Sequence, residues 1–135
     1  MEFFADLEGS QQVPPVRTSA TGQATFQFKG TRRRITYRLT LRNIQRVFAA
    51  HIHLGKPGQN GPVIAPMLNV TPSISMAQGQ VMGNITQSDL TGPLEGQTIE
   101  DLIDEMEAGN TYVNAHTEQF PDGEIRGQIR RTTDR

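Results

Sequence analysis

The sequence predicts an all-β fold: an antiparallel Greek-key sandwich or barrel of about seven to eight strands with one short helix near residues 99–108. Three observations carry this. Apolar and polar residues alternate through several short runs, the period of a half-buried strand. Turn signals built on 13 glycines and 8 prolines separate those runs. Only one stretch has a helical stripe, so there is no βαβ rhythm and no parallel sheet is expected. A chain of 135 residues without repeat or low-complexity segment makes one domain, 1–135.

Residues 3–7 form a short apolar run that leads into Gly9-Ser-Gln-Gln-Val-Pro-Pro15. Two prolines remove ladder donors, so this piece is expected to be an edge strand running into an extended crossing. Residues 22–29 alternate, with Ala24, Phe26 and Phe28 on one face. A turn at Lys29-Gly-Thr31 follows. Ile35, Tyr37, Leu39 and Leu41 then alternate with Arg34, Thr36, Arg38 and Arg42, which predicts the second arm of a hairpin with one wet face. Arg32 to Arg34 make a basic run without an aromatic platform, and a solvated hairpin end accounts for it.

The stretch Val47-Phe-Ala-Ala-His-Ile-His-Leu-Gly55 is the next strand, with Phe48, Ala50, Ile52 and Leu54 expected as its core row and Val47, Ala49, His51 and His53 on the other face. Three glycines and two prolines in residues 55–62 predict an irregular loop. Residues 63–68 are a short apolar segment broken by Pro66, 69–79 are polar and turn-rich, and 81–86 are a strand whose Gly83 marks a bulge or a close approach. After a turn region at 88–96, Thr98 and Asp101 form a capping box, Ile99, Leu102, Ile103 and Met106 share one stripe, and Gly109 suits a left-handed helix end. Residues 112–117 alternate again. Pro121-Asp-Gly123 is a turn in which Asp122 caps its own backbone. Ile125 and Ile129 face the core in the last strand, Glu124, Arg126 and Gln128 face out, and residues 131–135 are expected to fray.

Composition narrows function. Thirteen Lys+Arg against fourteen Asp+Glu argue against a nucleic-acid or anionic-membrane surface. No apolar run approaches the roughly 20 residues of a membrane helix, and the first residues lack a signal-peptide pattern. With no cysteine, any transition-metal site must use imidazole, carboxylate or backbone groups. No serine stands in a nucleophile elbow, and the 55–62 loop lacks the Gly-Lys-Ser/Thr and following helix of a phosphate cradle.

All three histidines, His51, His53 and His116, fall on the non-core faces of their strands. Same-face residues two apart on a strand are about 6.5–7 Å apart, a span that one ion with bonds near 2 Å bridges. If the 112–117 strand is a neighbour, His116 completes a three-nitrogen set that fits copper(II) first and zinc(II) second. Tyr112, Asn114, Glu124 and Arg126 are the expected supporting residues around it. The other reading is structural: imidazoles beside a glycine-rich loop hold its carbonyls.

The segments Phe4-Ala-Asp-Leu-x-Gly9 with Val13-Pro-Pro, Ala50-His-Ile-His-Leu-Gly55 with Gly58-Gln-Asn-Gly-Pro62, and Tyr112-Val-Asn-Ala-His-Thr117 with Pro121-Asp-Gly-Glu-Ile-Arg-Gly-Gln128 resemble the CHRD domain, the module repeated in chordin and found as single-domain bacterial secreted proteins. The resemblance spans almost the whole chain and implies a secreted, periplasmic or cell-surface setting. At one point the pattern also resembles copper-zinc superoxide dismutase, in which a His-x-His strand on a Greek-key barrel holds copper. His51 and His53 match that pair, but no histidine remains to bridge to zinc, which excludes the binuclear site. Two functions are therefore expected: metal binding with copper preferred, or a protein-interaction module whose histidines are structural. A mononuclear copper redox enzyme is the weaker third.

Overall fold

The structure is a computed structural model describing residues 1–30 and 33–134. Thr31 and Arg32, expected in the first hairpin turn and the basic run, lie outside the described residues. The described residues form seven strands and one α-helix: β1 (Glu2–Glu8), β2 (Thr21–Phe28), β3 (Arg34–Leu54), β4 (Val63–Thr86), α1 (Ile99–Glu107), β5 (Thr111–Thr117), β6 (Ile125–Gln128) and β7 (Arg130–Arg131).

The pairings are antiparallel and close on themselves. β1 pairs with β2, β2 with the first half of β3, the second half of β3 with β5, β5 with β6, and β6 and β7 with β1. This circuit is a closed barrel. It encloses the alternating rows of the sequence: Phe3, Ala5 and Leu7, Ala24 and Phe26, Ile35, Leu39 and Leu41, Ile52, Val113, Ala115, Ile125 and Ile129. The helix covers one end. Thr98 and Asp101 form its capping box, Gly109 takes φ 78°, and Ile99, Leu102, Ile103 and Met106 are all buried. Truncating Leu102, which is fully buried, to alanine costs about 2–5 kcal/mol.

Several expectations change. β1 is an inner strand, paired on both edges, because the prolines come only after Glu8 where the chain has left the sheet. The segments expected as separate strands at 35–42 and 47–54 are one long β3. It bends between its halves, where Asn43 and Arg46 have φ of 53° and 54° and the register with β4 shifts between Ile44 and Val47. Likewise 63–86 is one continuous strand, polar middle and Pro66 included. β4 pairs only with β3 among the described residues, and an edge strand tolerates a missing donor. Gly83 is a close approach: a Cβ there would lie 2.7 Å from Tyr37 Oη. Arg131, expected to fray, pairs with Phe3 and forms an ion pair with Glu107 at 3.2 Å.

Candidate metal centre

The antiparallel register of β3 and β5 sets Ala49 against His116, His51 against Asn114 and His53 against Tyr112. Same-face positions of adjacent strands bring the three imidazoles together. Ring centroids are 5.0 Å apart for His51 and His116, 5.9 Å for His51 and His53, and 6.0 Å for His53 and His116. Each ring offers one nitrogen, and these nitrogens lie within 4.8 Å of one another. Ligand nitrogens around one ion with bonds near 2 Å are about 2.8–4.1 Å apart, from cis to trans, so the nitrogens furthest apart must approach when an ion binds.

Two of the rings are oriented by backbone carbonyls. His53 Nδ1 donates to Gly61 O at 2.8 Å, and His116 Nδ1 donates to Pro121 O at 2.9 Å. A carbonyl only accepts, so the proton is on Nδ1 in both and each Nε2 carries a lone pair. Those two Nε2 atoms and His51 Nδ1 are buried and have no hydrogen-bond partner among the described residues. Burial holds His51 well below the usual imidazole range, at about 4, with neighbouring His116 and His53 adding to the shift. Burial also lowers His53 and His116, against the opposing pull of their carbonyl partners. The cluster is therefore neutral near pH 7, the form in which imidazole binds metal.

The 55–62 loop is fixed from beneath by residues expected to point into water. Arg126 is 2 % exposed, although its strand face is the outer one, because the loop lies over it. Its Nη2 donates to Gln59 O at 2.7 Å and Lys56 O at 3.0 Å, and Nη1 to Asn60 Oδ1 at 3.1 Å. Tyr112 accepts from the Gly61 amide at 3.0 Å, and its ring stacks on His53. Gln128 donates to the carbonyls of Gly55 and Gly109. A Cβ on Gly61 would sit 1.6 Å from Leu54 O, so the residue whose carbonyl orients His53 has room only as glycine.

Of the four expected supporting residues, Tyr112 and Arg126 serve His53 through the loop. Asn114 lies beside His53 and favours its cation without forming a standard hydrogen bond. Glu124, expected to support the histidines, has other partners: its carboxylate accepts from Thr18 Oγ1 at 2.7 Å and Thr117 Oγ1 at 2.8 Å. It is buried and ties the crossing segment to β5. Phe48 is also displaced. A register shift between Val47 and Ala49 turns Val47 into the core and sets the Phe48 ring 6.2 Å from His116. The bond expected between an imidazole and a carbonyl of the 55–62 loop is present, from His53 to Gly61; sequence reasoning missed the Pro121 carbonyl on His116, because the Pro-Asp-Gly signal announced a turn but not its direction.

A family model for the CHRD domain matches residues 3–129, nearly the whole chain. The chain belongs to the CHRD domain family. No curated protein matches it. The matched span takes in all three histidines and every loop-clamping residue named above. Among the described residues no helix of this CHRD domain is long and apolar enough to cross a membrane.

Proposed function

We propose that this CHRD domain binds one transition-metal ion, copper(II) in preference to zinc(II), through His51 Nδ1, His53 Nε2 and His116 Nε2, in an extracytoplasmic setting. One arrangement carries the reading: the three rings each offer a nitrogen within 4.8 Å of the others, each ring has one buried nitrogen without a partner among the described residues, and two of the rings have the opposite nitrogen committed to a carbonyl. Metal-bound histidines characteristically have that second bond, which fixes the tautomer and the ring plane. Leaving three such nitrogens unpaired costs stability unless something accepts their lone pairs. The order of copper over zinc follows the general affinity series for nitrogen ligands. Family membership supports the extracytoplasmic setting. Titration of copper(II) into the purified protein, followed by dialysis, tests the reading: one retained equivalent is expected, and none in His116→Ala. A wild type that retains no metal overturns it.

The carbonyl bonds of His53 and His116 also favour a second reading, in which the histidines pin the 55–62 and 117–123 turns and the domain is an interaction module. Under it, His51→Ala, whose ring makes no such bond, changes neither stability nor metal uptake.

A further inference from the structure

A cavity of about 830 Å³ opens beside the histidine cluster, formed by the crossing at 12–17, the turn at 119–123 and β5. That volume suits an organic ligand and greatly exceeds a metal ion. Val13, Pro14, Pro15 and Val16 give it one apolar wall and Phe120 and Pro121 another. Its polar lining differs in kind. Gln12 and Asn114 are 6 % and 3 % exposed, and Gln12 Oε1 and Asn114 Oδ1 have no hydrogen-bond partner among the described residues. These amides come from distant segments and meet at Gly123, where a Cβ would lie 2.7 Å from Gln12 Nε2 and 2.9 Å from Asn114 Nδ2. Gly123, at φ 126°, keeps that corner open.

We infer that the cavity binds a short apolar peptide segment, with a backbone amide paired to the side-chain amides of Gln12 and Asn114 and apolar side chains against the Val13–Val16 and Phe120 walls. Both unpaired atoms are acceptor oxygens, so the ligand must supply donors: a carboxylate or phosphate has none, an ammonium has them but would lose its hydration against the apolar walls, and a peptide backbone carries neutral N–H donors beside apolar side chains. The charged lining residues are Arg17 and Asp122, whose opposite signs give no preference for an ionic ligand. This site is separate from the metal reading, although His53 lines both.

The test is amide-resolved NMR titration of the full chain with N-acetyl-Ala-Leu-Ala methylamide and with its depsipeptide, in which ester oxygen replaces each N–H. Saturable shifts centred on Gln12, Asn114, Phe120 and Gly123 are expected, with the depsipeptide weaker by roughly two- to tenfold, the worth of one hydrogen bond. In Gln12→Leu that difference disappears while the melting temperature is kept, since Gln12 Oε1 holds nothing in the fold. Val16→Asp abolishes saturable binding. Non-saturable or scattered shifts in the wild type, or equal affinity for amide and ester, overturn the inference, and that wild-type comparison decides even if a variant fails to fold. Copper(II) uptake is measured on a separate sample: His51 does not line the cavity, so His51→Ala loses metal and keeps the peptide, and a wild type without metal uptake that still discriminates amide from ester leaves this inference standing.

Discussion

The guanidinium of Arg126 lies 3.5 Å from the centroid of the Tyr112 ring. The same ring stacks on His53 with centroids 4.8 Å apart and planes 8° from parallel. A buried cation, an aromatic ring and a candidate ligand are thus mechanically joined, and the cation also holds the loop whose Gly61 carbonyl orients that ligand. Arg126→Met leaves three loop acceptors without a donor. Bonds to a charged group are individually worth about 1.5–3 kcal/mol, so urea denaturation is expected to report a loss of about 2–4 kcal/mol. Metal affinity falls about tenfold in the same variant, as for other supporting residues. Arg126→Lys recovers little, because a single ammonium cannot reproduce a forked donor.

Removing a ring has a larger effect on metal than removing its support. His51→Ala and His116→Ala are each expected to weaken copper(II) binding more than about 100-fold by calorimetry, beyond the range of supporting-residue losses. Neither destroys the fold, since the barrel core lies on the other face of the strands.

Acid acts on the metal-free protein through the same cluster. The folded His51 titrates at about 4 while an unfolded histidine takes its proton near 6.5, so below that value the unfolded chain binds more protons. The contribution of His51 to stability is therefore complete above about pH 6.5 and declines as pH falls towards 4. Urea midpoints at pH 7, 5.5 and 4.5 measure this, and the decline is expected to be shallower in His51→Gln, where the carboxylate background is unchanged.

Gly83→Ala tests the contact between β3 and β4. The added methyl would meet the Tyr37 hydroxyl at 2.7 Å, and that hydroxyl is held by its bond to Met67 O at 2.5 Å. Overpacking of this kind costs about 1–3 kcal/mol, read as a lowered urea midpoint with an unchanged slope.

Alternation made most of the barrel legible: the Phe3, Phe26, Leu39 and Ile125 rows stand where the two-residue period places them. The helix was legible to within a residue because its cap, stripe and terminal glycine agree. Length was not. Pro66 and the polar residues 69–79 look like breaks, and only the knowledge that β4 is an edge strand makes them compatible with one continuous element. Phe48 and Val47 exchanged faces because a register shift is invisible to a strict two-residue count. The histidine face was legible from parity alone. The burial of Arg126 and Gln128 was not, because it depends on a loop some 70 residues distant folding over them.

β3 presents two imidazoles, and β5 delivers the third only after the whole of β4 and the helix have intervened, 63 positions beyond His53 (116 − 53). Nascent chains that end before Thr111 carry a bidentate pair at most. An ion demanding all three rings consequently selects molecules whose final third has docked, and mass action then favours finished copies over truncated ones.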